Sequence, residues 1–182
     1  MVAKLIRKSN ETIVSLEEAK AHLRILHTNE DFYLNSLLGV ITTSIENNLD
    51  KDLVDTTYSL YIYSSITIGE EIHFPNSPIY NVTGVVIKDG ETVIDSAEYS
   101  YTFTDEYIKF NSLPEAYTSI EVVYKKGFES SEDLPTPIKQ AALLMLSDLY
   151  LYRGSIIVGK SIMILEKSIA ALLRPYQNVK FM

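Results

Sequence analysis

The chain contains no cysteine and no tryptophan. Without a thiol, disulfide frameworks, cysteine nucleophiles and thiolate metal sites are excluded. Histidine is scarce, with only His22, His27 and His73 present, so a histidine-rich metal site is not expected. No apolar run reaches the ~18 residues of a membrane span. Met1 to Asn10 carries Lys4, Arg7 and Lys8 but no long apolar stretch, so a signal peptide is not expected. The sequons at Asn10 and Asn81 then carry little meaning.

What is present is ordinary for a globular chain. Of 182 residues, 46% are hydrophobic and 22% charged, which argues against wholesale disorder and against a fibre. The length suits one domain or two small ones and allows roughly two thirds of the unfolded surface to be buried. Net charge is −8, distributed unevenly. The first ten residues hold three basic groups and no acid, and residues 153–182 hold Arg153, Lys160, Lys167, Arg174 and Lys180 against Glu166. The remaining 23 carboxylates lie in the middle. Such an acidic body disfavours nonspecific DNA binding through phosphate neutralisation. It reads either as a solubilising surface or as one that avoids nucleic acid, and composition does not choose between them.

Periodicity orders the chain as helix, helix, sheet, helix, helix. Ser15-Leu16-Glu17-Glu18 has the form of a capping box, followed by Leu16, Ala19, Leu23 and Leu26 at helical spacing. Thr28 is the candidate cap of a second helix, whose stripe is Leu34, Leu37, Leu38, Ile41, Ile45 and Leu49. From about Thr56 the period becomes two: Tyr58, Leu60 and Ile62 alternate with Ser59, Tyr61 and Tyr63. Val82 to Ile87 is β-branched, and Asp89-Gly90 signals a hairpin. Tyr99 to Phe103, Tyr107 to Phe110 and Ile120 to Tyr124 bring the total to about six short strands. Thirteen tyrosines suit such a sheet, with rings on one face and hydroxyls reaching water. Thr136 and Pro137 then open a third helix. Its residues to Tyr152 are apolar on more than one face, so it is either central to the domain or shared with another subunit. A last helix is expected from about Met163 to Leu173, ending before Pro175.

The expected fold class is α+β: a bundle of about four helices with an antiparallel β region inserted between helices 2 and 3. The expected segments are 1–55 (helical pair), 56–130 (β insertion) and 131–182 (helical pair with an extended tail).

Gly154 to Ser161 matches the phosphate-binding pattern G-x-x-x-x-G-K-S letter for letter. That chemistry needs a loop entered from a buried strand and leaving into a helix. Here a helix-like segment precedes it, bulky β-branched residues fill it, and too little chain follows to complete a nucleotide-binding sheet. The expected reading is an interhelical loop. His22 and His27, five apart, would point about 140° apart on one helix and could not share a metal there. The acidic pairs Glu17-Glu18, Glu70-Glu71 and Asp105-Glu106 sit at helix starts or turns, where the helix dipole or solvent satisfies them. No cofactor, metal or catalytic residue is expected.

The order of segments resembles the head–tail connector family of tailed bacteriophages, over about residues 15–176. The residues carrying the likeness are Ser15 to Lys20 with Leu23-Arg24, then His27-Thr28 and Glu30-Asp31. Pro78-Ile79 with Val82 and Val85, Val123-Tyr124 with Gly127-Phe128, Pro137 to Ala141 through Tyr150 and Arg153, and Leu172-Leu173 with Pro175-Tyr176 follow. The chain departs from the family at 154–164, which is apolar here, and in its acidic, tyrosine-rich sheet. The resemblance implies a structural virion protein rather than an enzyme. It would form a roughly twelve-fold ring between portal and tail or neck proteins, with DNA passing through the lumen. On that reading Leu38, Ile41, Ile45, Leu143, Met145, Leu146 and Leu149 are expected at the subunit interface, and Arg174, Tyr176, Val179, Lys180 and Phe181 at the portal. The alternatives are a nucleotide-dependent enzyme using 154–161 and a small adaptor or binding module built on the tyrosine-rich sheet.

Overall fold

Ser15 and Glu18 close a reciprocal cap in the computed structural model, which describes residues 1–75, 78–152 and 167–177. The Glu18 N–H donates to Ser15 Oγ at 3.1 Å, and the Ser15 N–H donates to Glu18 Oε2 at 2.8 Å. This starts helix α1 (Leu16–Leu23), which Arg24 stops in a left-handed conformation. Leu26, expected to continue the stripe, lies beyond that stop and is 97% exposed. Helix α2 (Asp31–Leu49) follows. Thr28 is not its cap: Glu30 occupies that position without a side-chain hydrogen bond, and Thr28 instead accepts the Asp31 N–H at its carbonyl. Helix α3 (Thr136–Leu151) begins after Pro135 with Pro137 in its first turn. There a missing N–H costs nothing, because that amide has no helical acceptor. Residues 167–173 are again helical.

The chain divides into two units. The helical unit comprises Asn10–Val54 and Phe128–Met182. One apolar core runs through it, with Leu34, Leu38, Ile41, Ile45 and Leu49 of α2 meeting Ile138, Ala141, Ala142 and Leu146 of α3, together with Ile13, Ala19 and Leu173. Each large aliphatic side chain buried this way contributes about 1.5–3 kcal/mol. Glu46 is buried beside this core, and its Oε1 accepts the Leu53 N–H at 2.9 Å, so the turn after α2 is held by a carboxylate.

The sheet unit comprises Met1–Ser9 and Asp55–Gly127. Its strands are β1 (Val2–Lys8), β2 (Thr56–Ile62), β3 (Glu71–His73), β4 (Ile79–Asp89), β5 (Thr92–Val93), β6 (Ser100–Phe103), β7 (Tyr107–Ser112) and β8 (Ser119–Lys126). They form two antiparallel sheets, ordered β1-β2-β8-β4-β5 and β3-β7-β6. Asp89-Gly90 makes the β4–β5 hairpin, with Gly90 at φ +59°, a conformation that glycine adopts without strain. The class is α+β with antiparallel sheets, as expected, but the strands among the described residues number eight and are not all inserted between helices. β1 comes from the N-terminus and pairs with β2 from Val2 opposite Tyr61 to Lys8 opposite Thr56. Inward residues of both sheets share one core, including Leu60, Ile62, Ile87, Ile108, Phe110, Ile120, Val122 and Tyr124.

Candidate functional site

Polar contacts tie the helices of the helical unit together. Lys20 Nζ on α1 donates to Asp31 Oδ1 on α2 at 2.7 Å. Lys139 Nζ on α3 donates to Glu18 Oε1 on α1 at 2.9 Å, and His22 Nε2 lies 2.8 Å from Ser147 Oγ. Tyr150 OH donates to Glu30 Oε2 at 2.6 Å, with its ring 6.4 Å from that of Tyr33. Glu18 is held below its ordinary value chiefly by the Ser15 N–H; burial opposes this, and the hydrogen bond and charge of Lys139 add to the lowering. The acidic residues here serve as caps and tethers. His22 and His27 go to separate partners, Ser147 and Glu30. Among the described residues no group of three histidines and carboxylates could hold a metal ion.

The expected subunit-interface residues lie mostly inside the chain. Leu38, Ile41 and Ile45 of α2 and Leu146 of α3 are at most 2% exposed, in the helical unit's own core. A side chain packed on all sides cannot also meet a neighbour, so the expectation is corrected for these four. Leu143, Met145 and Leu149 are half-buried against the same core. The third helix is therefore central to its unit.

Sequence reasoning passed over the opposite face of α2. Phe32, Asn35, Ser36, Gly39, Val40, Thr43, Ser44 and Asn47 are all exposed, and none is charged. Phe32 is 90% and Val40 57% exposed. The face extends about 22 Å along the helix. Stripping water from uncharged groups costs far less than desolvating ions, and charge is depleted in the same way at interface centres. The signal was present in the sequence: between Asp31 and Glu46, α2 has no charged residue at all.

In the sheet unit, Asp55 accepts hydrogen bonds from Tyr80 OH and, at 3.2 Å, from Lys125 Nζ. Burial pushes its pKa up, but the Tyr80 and Lys125 bonds and the charge of Arg7 outweigh that and hold it low. Glu121 is held low chiefly by Ser59 Oγ, which donates to it at 2.6 Å. Lys126, only 5% exposed, lies over the Tyr58 ring at 5.4 Å, and Tyr58 stacks on Tyr124 at 5.7 Å. These tyrosines form the wall and seam of a core, and their partners are structural.

A profile of phage gp6-like head–tail connector proteins matches residues 13–125. The chain belongs to this family. The match spans α1, α2 and β2 to β8, and leaves β1 and α3 outside it. Solved structures extend the likeness over the whole connector chain. A protein from the neck of an empty gene transfer agent particle, computed with C6 symmetry, shares the fold with a TM-score of 0.70 and 21% identity. That alignment covers 100% of this chain and 98% of the other. A protein from the native particle's neck, computed with C12 symmetry, aligns with the same coverage at 0.67 and 19%. No curated protein sequence matches the chain.

Of the expected portal-docking residues, Arg174 is exposed and Tyr176 is half-buried against the helical core. Val179, Lys180 and Phe181 lie outside the described residues, as do the 154–161 segment and the start of the last helix.

Proposed function

We propose that this connector forms a closed ring in the neck of a tailed phage or phage-like particle. The ring lies between portal and tail, with DNA passing through its lumen. The observation that carries this reading is membership of the head–tail connector family. Support comes from a fold shared along the whole chain with neck proteins of particles described under C6 and C12 symmetry. Charge agrees in sign: at −8 the chain as a whole repels a passing duplex.

In the helical unit, the surface offered to a neighbouring copy is the uncharged outer face of α2, with Phe32 and Val40 as its apolar points. Leu143, Met145 and Leu149 stand behind it as core. The portal contact is placed at the C-terminal end, from Arg174 onward. The chain acts by shape and adhesion and uses no cofactor. The test is electron microscopy of the protein mixed with its cognate portal. The expected image is a closed ring of about twelve copies on each portal. Removing residues 177–182 is expected to abolish recruitment while leaving the fold intact. A single copy per portal, or no association, would overturn the reading.

A further inference from the structure

The five-stranded sheet has two ends of opposite charge, about 19 Å apart across four strand spacings. At one end is β1. Among the described residues no strand pairs with its outer edge, and every residue from Met1 to Lys8 is exposed. It carries Lys4, Arg7 and Lys8 and no acid. Val2, Leu5 and Ile6 stand 50–60% exposed on the same strand. At the other end is the β4–β5 hairpin with the turn that follows it. Residues 89–98 carry Asp89, Glu91, Asp95 and Glu98, all exposed, and no basic group, with Val93 at 60% exposure among them. The rest of that edge is already occupied: Tyr99 OH donates to the Val85 carbonyl at 2.7 Å, and the Ile79 N–H donates to the Asp105 carbonyl at 2.8 Å. The acidic hairpin is the part of that edge that stands clear.

We propose that the basic β1 edge of one copy docks against the acidic 89–98 hairpin of the next. This deepens the ring reading and rests on it, naming the contact in the sheet unit that joins successive copies. Two different patches at opposite ends of one sheet make a head-to-tail contact, the kind that propagates around a closed ring; a two-fold dimer would need one self-complementary patch. Opposite charges set the register and speed the encounter, while the exposed apolar side chains on one face of β1 cover Val93. Lysines and a bulge on an edge strand also guard against random pairing, and β1 has such a bulge at Ile6. That guard does not account for three exposed large apolar side chains on the same strand, which a neighbour's hairpin would cover.

A charge-swap experiment tests this by electron microscopy and native mass spectrometry of ring assembly on the cognate portal. Variant A is Lys4→Glu/Arg7→Glu and variant B is Asp89→Lys/Glu91→Lys/Glu98→Lys, which keeps Asp95 as the acceptor of the Ala97 N–H. Because Arg7 lies near Asp55, Val2→Glu/Lys4→Glu/Ile6→Glu serves as a second form of A that leaves Arg7 in place. Thermal melts verify that each variant folds. Alone, A sets acid against acid and B sets base against base, so each is expected to lose ring assembly by about tenfold or more. Mixed in equal amounts, every A–B junction is again complementary, and rings of alternating copies are expected to return. High salt is expected to weaken the native ring. Folded variants that assemble alone as well as the native chain, or a mixture that fails to recover, would overturn the proposal while leaving the ring itself standing. A native chain that never forms a ring would defeat both.

Discussion

In the helical unit charged side chains bridge from one helix to the next, whereas in the sheet unit they lie along the rows of a sheet whose core is closed by two strand layers. Lys139–Glu18 and Lys20–Asp31 join separate helices, α3 to α1 and α1 to α2. Ser59–Glu121 joins two strands that already share a ladder, and Lys125–Asp55 ties β8 to the residue that precedes β2. The helical unit therefore depends on a few side-chain bridges over one core, while the sheet unit has its backbone ladder as well. The difference also decides what each unit has left to offer. α2 buries one stripe and leaves a complete uncharged face outward, while the sheet leaves its two edges.

The sharpest way to break this comparison uses two neighbouring residues of α2. Ile41 is fully buried and Val40 is 57% exposed. Ile41→Asp places an unpaired charge in the helical core and is expected to cost about 5 kcal/mol. Calorimetry should show this as a midpoint lowered by about 10 °C or more, since each kcal/mol shifts a chain of this size by about 2–4 °C. Next in size is Phe110→Ala in the sheet core, where a fully buried ring is lost. It is expected to cost about 4 kcal/mol, read from the denaturant midpoint. Equal losses from these two changes would show that the ladder gives the sheet unit no advantage.

Ser15→Ala removes half of the reciprocal cap and is expected to cost about 1 kcal/mol. Acid sharpens the comparison further. Glu18 in the helical unit and Asp55 and Glu121 in the sheet unit all titrate below their ordinary values of 4.5, 3.8 and 4.5. A carboxylate lowered by folding stabilises the native state above its unfolded pKa, and that contribution is lost as pH falls through the folded value. Stability is thus expected to be level above about pH 5 and to decline below 4.5. Asp55→Asn, Glu121→Gln and Glu18→Gln should each flatten the decline, as followed by denaturant melts across pH. The smallest effect on folding is expected from Val40→Asp, within about 0.5 kcal/mol, yet ring assembly on portal should fail. A ring that forms normally with Asp at position 40 would remove the α2 face from the interface.

The caps were legible because their chemistry is local. Ser15 and Glu18 need only a spacing of three, and Asp89-Gly90 needs only a turn. β2 and β8 announced themselves by alternation, because one face of each is buried. β1 did not: as an edge strand exposed along its whole length it has no buried face to impose a period, and only pairing with β2 makes it a strand. β5 is two residues long and too short to show any pattern. The misplaced interface has a different cause. Leu146 belongs to a helix apolar on more than one face and Leu38, Ile41 and Ile45 to the stripe of α2, but a pattern along the chain does not reveal how many elements surround a helix. In the fold α2 and α3 bury each other, and Ile13, Ala19 and Leu173 complete the enclosure.

By itself, then, the sequence determined the helix starts, the change of period near Thr56, the acidic body and the likeness to connector proteins, because each is written within short reach along the chain. Tertiary structure alone decided which apolar residues are spent on the chain's own core and which stand outside it. It also decided that the basic N-terminal strand and the acidic hairpin, some 80 residues apart in sequence, end up on opposite edges of one sheet. Burial and edge position depend on what packs alongside a residue, and that neighbour is fixed only when distant segments meet.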